Sequence, residues 1–341
     1  MSTARGSCLA LLLMMLPSCT SESDDPKQRA DAGDVERPAD AGSGANAATV
    51  GRFQITMVRA VAASGDEPAS PAYTSVVGRV YDAVLPPNIT WTATAEEGDC
   101  TLLEPSIPAC DPACSGTDVC VEAGRCVAYP RALDLGTVTL RGLTPQSGDE
   151  GIAIDPLPPN NNYQLPGRVQ LAYPPFAEGD PITLDAEGGD LPAFAIETTG
   201  IAQLEPTIDS PLRFTADSAT ELRWAPPAEA AASRILVRVD ISHHGGQKGE
   251  IVCDAEDTGT LVIPAELGAQ LIDLGIAGYP SLQITREAIG TANAAGASIE
   301  LVVASPVTIE LEIPGLVSCD EPGTQDVCPE GEQCQADWRC Q

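Results

Sequence analysis

The chain has 341 residues, enough for about two domains of ordinary size. It carries 49 Asp and Glu against 18 Lys and Arg, a formal net charge of −31, which argues against nucleic acid as a partner because such binding needs clustered basic residues. Hydrophobic residues make up 43% of the chain and can build cores, whereas two neighbouring histidines, His243 and His244, leave little room for histidine-based catalysis or metal binding.

The N-terminus predicts export. Arg5 precedes an unbroken apolar run from Cys8 to Leu16, which fits a secretory signal and is too short for a bilayer-spanning helix of about 20 residues. The following Leu16-Pro-Ser-Cys19 resembles the lipobox of bacterial lipoproteins. That resemblance implies a signal peptide over 1–18, removed by cleavage before Cys19, and acyl chains (a palmitate-type anchor) on that cysteine. Thr20 after the cysteine implies sorting to the outer membrane, in either its periplasmic or its surface leaflet.

Residues 19–50 predict a disordered acidic tether. This segment is rich in Ser, Asp, Ala, Gly and Pro and has no aromatic residue, so it cannot bury enough apolar surface to order itself. A coil of this length spans roughly 30 Å on average and would hold the folded part clear of the lipid.

Beyond residue 50 the hydrophobic pattern has period two, which is typical of half-buried strands. The clearest runs are Ile89–Ala95, Ile235–Ile241 and Val307–Ile313, separated from weaker runs by turn residues. One stretch has helical spacing, with Leu267, Leu271 and Leu274 following a proline. We therefore expect an all-β protein with at most one short helix.

The expected architecture is two β-sandwich-like domains of immunoglobulin or fibronectin type, together with small disulfide-rich units. A Pro- and Asn-rich stretch at 151–166 predicts a linker between a first domain at 51–150 and a second at 167–317, and 318–341 forms a C-terminal cysteine-rich unit. The alternative is one larger sandwich in which this stretch is a long surface loop.

The cysteines predict disulfides, because an even number of them in an exported chain favours pairing. Eight fall into two groups that share the spacing C-x5-C-x5-C, an internal repeat, and a first-to-third, second-to-fourth pairing is one of three possible in each group. Cys100 and Cys253 remain. They could bridge the two domains, Cys100 could instead pair with Cys110, or Cys253 could be a buried free thiol. Zinc is disfavoured because its structural sites use shorter spacings. The ten candidates are Cys100, Cys110, Cys114, Cys120, Cys126, Cys253, Cys319, Cys328, Cys334 and Cys340.

A wider resemblance rests on these units, the lipobox, the acidic tether and three phrases. The phrases are Gly98-Asp-Cys-Thr-Leu-Leu103, Gly136-Thr-Val-Thr-Leu-Arg-Gly-Leu143 and Asp257-Thr-Gly-Thr-Leu-Val-Ile-Pro264. Together they resemble myxobacterial-type cysteine-rich outer-membrane lipoproteins. The resemblance implies a compartment and an architecture and no catalytic residue.

Three motifs could carry chemistry. Asp257-Thr-Gly259 spells the aspartic-protease triplet, but no second copy exists to share a proton with it, so a turn is favoured. The pair His243-His244 could bind a metal, but neighbours on an extended chain point in opposite directions, which favours an exposed loop. Two acidic clusters, Asp185–Asp190 and Asp254–Asp257, could bind calcium, although a solvated surface is expected in so acidic a chain.

The sequence thus predicts a non-enzymatic, lipid-anchored cell-envelope protein with a binding, adhesion or structural role. We expect no catalytic residue, cofactor or resident metal. The partners would be the membrane, through Cys19, and a protein or polysaccharide of the envelope. The alternatives are a surface hydrolase with a glycosidase-like acidic pair and a calcium-dependent adhesin.

Overall fold

The computed structural model describes residues 48–63, 69–146, 148, 151–229, 232–243, 246–319, 323 and 327–341. The predicted signal peptide, Cys19, His244 and nearly all of the tether lie outside the described residues. The described chain contains eighteen strands and one α-helix, α1, at Ala265–Asp273. The strands are β1 Thr49–Val58, β2 Tyr73–Val80, β3 Thr90–Glu97, β4 Cys100–Ser106, β5 Asp118–Glu122, β6 Arg125–Ala128, β7 Val138–Arg141, β8 Ile152–Ile154, β9 Tyr163–Gln164, β10 Pro181–Ala186, β11 Phe194–Thr199, β12 Leu212–Arg213, β13 Thr220–Arg223, β14 Arg234–Asp240, β15 Glu250–Glu256, β16 Thr260–Ile263, β17 Ser281–Ala294 and β18 Ala297–Glu312.

One large sheet organises the described fold. Nine of its strands follow the order β3-β4-β15-β14-β17-β18-β1-β2-β9, and β12 pairs with β18 as the tenth. A four-stranded sheet has the order β11-β10-β7-β8, and two small sheets are formed by β13 with β16 and by β5 with β6. The long antiparallel pair β17–β18 runs through the middle of the large sheet and joins its two halves.

Both hydrophobic cores lie on the same face of the large sheet. Along β17 the even-numbered residues face inward, from Leu282 in one core to Ala294 in the other. Along β18 the odd-numbered residues do the same, from Ile299 to Ile309. Since side chains alternate along a strand, this unbroken parity means that a single sheet face carries two cores side by side.

Different elements cover the two cores. The four-stranded sheet supplies Leu140 and Leu184 to the first core, where they join Phe53 of β1. The small β13–β16 sheet and helix α1 cover the second core, to which Leu267 and Leu271 contribute. The predicted helical spacing is therefore confirmed, and the helix packs over one end of the sheet.

The predicted fold class is confirmed: the chain is all-β and sandwich-like, with one helix among the described residues and two disulfide-rich units. The predicted division into consecutive domains differs from the structure. The chain enters the first core with β1 and β2, the second with β3 and β4, and then returns to the first with β7. Each core is therefore built from separated stretches of the chain, and β17 and β18 belong to both.

The predicted linker at 151–166 is part of the first core. Ile152 and Ile154 of β8 are buried there, and Tyr163 of β9 is only 1% exposed and packs against Phe53. The Tyr163 hydroxyl accepts a hydrogen bond of 2.7 Å from the Leu135 backbone N–H. Burial raises the pKa of this phenol to about 12. The stretch 151–166 is therefore rich in Pro and Asn but is not a linker, because the side chain of Tyr163 anchors it in the first core.

Tyr163→Phe is expected to lower the free energy of unfolding by about 1–3 kcal/mol, because the Leu135 N–H loses its partner in a buried position. Urea unfolding followed by circular dichroism measures the difference. Tyr73→Phe is the matched control, since that ring is 47% exposed, and it is expected to change stability by less than about 0.5 kcal/mol. Equal effects of the two substitutions would contradict the fastening role.

No helix among the described residues has the length and apolar character needed to cross a bilayer.

Candidate functional site

The aspartic-protease-like triplet lies in a turn between β15 and β16, but its aspartate is completely buried. Asp257 Oδ2 accepts hydrogen bonds from Arg286 Nε at 2.6 Å and from Ser233 Oγ at 2.7 Å. Its Oδ1 accepts from Trp224 Nε1 at 2.7 Å and from Arg286 Nη2 at 3.1 Å. Four donors therefore occupy the carboxylate, which is held as an ion-pair partner and not presented to a substrate.

Arg286 is equally well satisfied. Its remaining N–H groups donate to the backbone carbonyls of Ala202 and Gln203 at 3.3 Å each and of Ala225 at 2.7 Å. The side chain is 1% exposed and projects from the inward face of β17, between the residues of that strand that enter the two cores. The network forms a polar partition between the cores. The sequence does contain a trace of it, because Arg286 interrupts the apolar alternation of β17.

A second polar cluster lies where β14 and β15 meet. Asp240 and Glu250 are directly opposite each other in the antiparallel register. Arg238 Nε donates a hydrogen bond to Glu250, and Asp240 Oδ1 accepts from the backbone N–H of Ser242 at 2.8 Å. His243 Nδ1 is 3.7 Å from Asp240 Oδ2. The period-two pattern did not predict this cluster, because polar residues such as Arg238 and Asp240 are equally typical of a solvent-exposed strand face.

The pKa values of the two carboxyls of this cluster are shifted in opposite directions. Burial raises the pKa of Glu250, and the Arg238 guanidinium offsets part of that rise. Burial also acts to raise the pKa of Asp240, but the nearby His243 imidazole, hydrogen bonds from Ser242 and the charge of Arg238 hold it below its usual value. A pair with separated pKa values is one requirement of acid–base hydrolysis.

Access is the requirement that the pair does not meet. The Glu250 side chain is 6% exposed and its Oε2 accepts from Arg238, so a substrate has little access to this carboxylate. The cluster is better explained as an ion-pair network that stabilises one end of the β14–β15 pair. The geometry therefore gives no support to a surface hydrolase at these residues.

His243 is expected to make stability depend on pH. The nearby Asp240 carboxylate raises the pKa of this imidazole above 6.5, so the folded state holds the proton more tightly than the unfolded state. The stabilisation is complete below the unfolded pKa and is lost as pH rises through the folded pKa. Because the side chain is 54% exposed, the effect is expected to be only about 0.2–1 kcal/mol.

Thermal melting of wild type and His243→Gln between pH 5 and pH 8.5 measures this effect. The range brackets the pKa of a free imidazole. The wild type is expected to be the more stable at pH 5 and equal to the variant at pH 8.5. A difference that grows with pH would contradict the assignment.

The two acidic clusters considered for calcium are largely committed to other partners. Asp185 pairs with Arg141, and Asp190 Oδ2 accepts from Arg131 at 2.9 Å. Asp254 pairs with Arg234 at 2.6 Å, and Asp257 is the partner of Arg286. Carboxylates bound to guanidinium groups are poor cation ligands, so the geometry gives no support to calcium binding at these four residues. The four aspartates that pair with arginines are Asp185, Asp190, Asp254 and Asp257.

The ten predicted cysteines form five disulfides. In each repeated group the pairing is first-to-third and second-to-fourth, one of the three pairings that the sequence left open. The bonds are Cys110–Cys120, Cys114–Cys126, Cys319–Cys334 and Cys328–Cys340. The fifth, Cys100–Cys253, joins directly opposite residues of β4 and β15 within the second core. It therefore does not bridge two domains, which was one of the alternatives for these residues.

The repeated groups also gather sulfur atoms closely enough to suggest a metal. Three in each group lie within 4.8 Å of one another. Each of these atoms already belongs to a disulfide, whereas a structural metal needs deprotonated thiolates. The two sets are Cys110, Cys114 and Cys126, and Cys319, Cys328 and Cys340.

The C-terminal unit is attached to the loop before β17. Ser318 Oγ donates to the Gly278 carbonyl at 2.6 Å, and Tyr279 Oη donates to the Cys319 carbonyl at 2.9 Å. Trp338 lies beside Tyr279, with 6.4 Å between ring centroids, and adopts φ 62°. In the first unit the equivalent position is Gly124, with φ 73°. A tryptophan in the left-handed region is strained, and its contact with Tyr279 helps to offset that strain.

No protein-family model and no curated protein sequence matches the chain. Among solved structures, it is similar to the crystal structure of chicken CNTN1 FN1-FN3 domains. That match has 11% sequence identity and a TM-score of 0.16, and it covers 70% of this chain and 72% of that chain. Neither fold nor function is transferred from so loose a superposition.

Proposed function

We propose that the chain is a lipid-anchored protein of the bacterial outer membrane, held by acylated Cys19, with a binding, adhesion or structural role in the cell envelope. One observation carries the proposal: all ten cysteines from Cys100 to Cys340 are joined to one another. Disulfides persist in oxidising compartments, which supports export.

A role through surface contact is supported by what the described residues offer. Two of the carboxylates considered for chemistry, Asp257 and Glu250, are committed to arginines. The described fold instead presents strands and loops, and each cysteine-rich unit is closed by two disulfides. A net charge of −31 would keep such a surface soluble and repel other acidic surfaces.

Partitioning into detergent tests the anchor. Wild type and Cys19→Ala, each produced with the full signal sequence in a double-membrane bacterium, are separated by phase partitioning in Triton X-114. Cys8→Ala is the matched control, because that cysteine lies in the predicted signal peptide and leaves with it. Wild type and control are expected in the detergent phase, and Cys19→Ala in the aqueous phase. Recovery of Cys19→Ala in the detergent phase would overturn the anchor, since two acyl chains supply the stable attachment.

A further inference from the structure

Strand β3 forms one end of the large sheet. Seven of its eight residues pair with β4, and β3 has no second neighbour among the described strands. Every residue of the strand is exposed or half-exposed. In an antiparallel pair, alternate residues of the outermost strand turn their N–H and C=O groups away from the neighbour. β3 therefore presents a row of unpaired backbone donors and acceptors, which is a template for another strand.

The other sheet ends in the described part of the chain are shorter or covered. β9, at the opposite end of the large sheet, has two residues, and β8 has three. β11 packs closely against β17, where the Glu197 carbonyl fills the space that a side chain at Gly290 would need. Among these ends, β3 is the one with the length and exposure to accept an added strand.

The β3 end of the sheet is also acidic and uncompensated. Glu96, Glu97, Asp99 and Glu104 cluster along β3, β4 and the turn between them, and none has an ion-pair partner among the described residues. Elsewhere on the sheet the pattern differs, as at Glu300, whose Oε2 accepts from Arg52 at 2.9 Å. An unbalanced group of carboxylates along an open strand is complementary to lysine and arginine side chains.

An aromatic side chain lies beside the open edge. A bulge between Ala93 and Ala95 shifts the register of β3 against β4. As a result Trp91, opposite Pro105, lies on the sheet face away from the second core, because Leu102 of β4 faces that core. Trp91 is half-exposed. A tryptophan at the rim of an edge strand is the kind of anchor that interfaces favour.

We propose that β3 binds an extended, basic peptide segment of another protein, which adds to the large sheet as a further strand. Backbone hydrogen bonds to β3 would give the affinity, and the acidic group would select lysine and arginine in the segment. A second copy of this chain is a poor occupant, because it would bring one acidic edge against another. The inference rests on the proposed binding role and names the chemistry of its partner.

A model peptide tests the inference, because backbone pairing with charge selection tolerates many sequences. The probe is a fluorescein-labelled peptide in which lysine alternates with valine, titrated against the full mature chain in neutral detergent. Two further peptides are compared: one with glutamate in place of lysine, and one N-methylated at alternate amides so that it cannot pair as a strand. Hydrogen exchange measured by mass spectrometry locates the binding.

The basic peptide is expected to bind and to slow exchange at residues 90–97. The variant Glu96→Lys/Glu97→Lys should weaken its binding by about tenfold. The matched control Glu197→Lys/Glu310→Lys makes the same charge change at exposed strand residues elsewhere and should leave binding within about twofold. Circular dichroism and the urea midpoint establish that both variants fold.

Three results would overturn the inference. They are equal binding of the N-methylated peptide, protection away from β3, and unchanged binding by the Glu96→Lys/Glu97→Lys variant. None of them bears on detergent partitioning of Cys19→Ala, so failure at β3 is distinguishable from failure of the anchor.

Discussion

Asp257→Ala is expected to lower the free energy of unfolding by about 3–5 kcal/mol, because it leaves the Arg286 guanidinium buried without its counter-charge. The cost has two parts. Arg286, at 1% exposure, cannot recover hydration, and the Trp224 and Ser233 donors lose their acceptor at the same time. Urea unfolding followed by circular dichroism measures the change. Arg286→Lys should cost a comparable amount, since an ammonium cannot reproduce the five-donor fork.

Asp254→Ala is the matched control for Asp257→Ala. Asp254 pairs with Arg234 at 2.6 Å, which is as short as the buried pair, but both side chains are well exposed. Its loss is expected to cost less than about 1 kcal/mol. Equal effects of the two alanine substitutions would refute the polar partition as a structural element. Should Asp257→Ala not fold, the isosteric Asp257→Asn gives the same comparison with a smaller expected loss.

Cys100→Ala/Cys253→Ala is expected to destabilise the fold by about 5 kcal/mol, on the chain-entropy model of a disulfide. This bond closes a loop with a sequence separation of 153 and ties β4 to β15 inside the second core. On that model the loss is about 2 kcal/mol larger than for a loop of about ten residues, because the entropy grows with the logarithm of loop length. The urea midpoint of the double variant against wild type measures the difference.

Cys110→Ala/Cys120→Ala is the control for loop length. That disulfide has a sequence separation of 10 and lies outside both hydrophobic cores. Its removal is expected to speed hydrogen exchange in β5 and β6 and to shift the main unfolding transition by less than about 1 kcal/mol. If both double variants lowered the midpoint equally, the Cys100–Cys253 bond would have no special role in the second core.

Local patterns predicted most of the fold class. Period-two alternation located β14 and the second half of β18, and helical spacing located α1. The repeated cysteine spacing anticipated two similar units, and both units have the same first-to-third and second-to-fourth pairing. These features depend on neighbouring residues, which a single sequence displays directly.

The order of the strands depends on distant residues and could not be predicted. β1 lies beside β18, which is about as far along the described chain as possible, and nothing in either strand names the other. The Pro- and Asn-rich composition of 151–166 favoured a linker. That prediction was wrong because composition does not show how deeply a single residue, Tyr163, is buried. Strand alternation also placed Trp91 and Ala95 on one face, whereas the bulge in β3 separates them.

The candidate site was predicted only in part. The turn at Asp257 was anticipated, but its burial depends on Arg286, a residue in another strand. The facing pair Asp240 and Glu250 depends on the register of β14 against β15, which the sequence does not state. In each case the sequence shows the residue types but does not show that they come into contact in the fold.

The intact mass of the mature protein, purified from membranes, tests the central claim most directly. We expect a chain that begins at Cys19, carries a diacylglyceryl group or a further acyl chain, and lacks the hydrogens of five disulfides. Full reduction should then add two hydrogens for each bond. A mature mass without lipid, or one that reduction leaves unchanged, would contradict the account of an oxidised, acyl-anchored envelope protein.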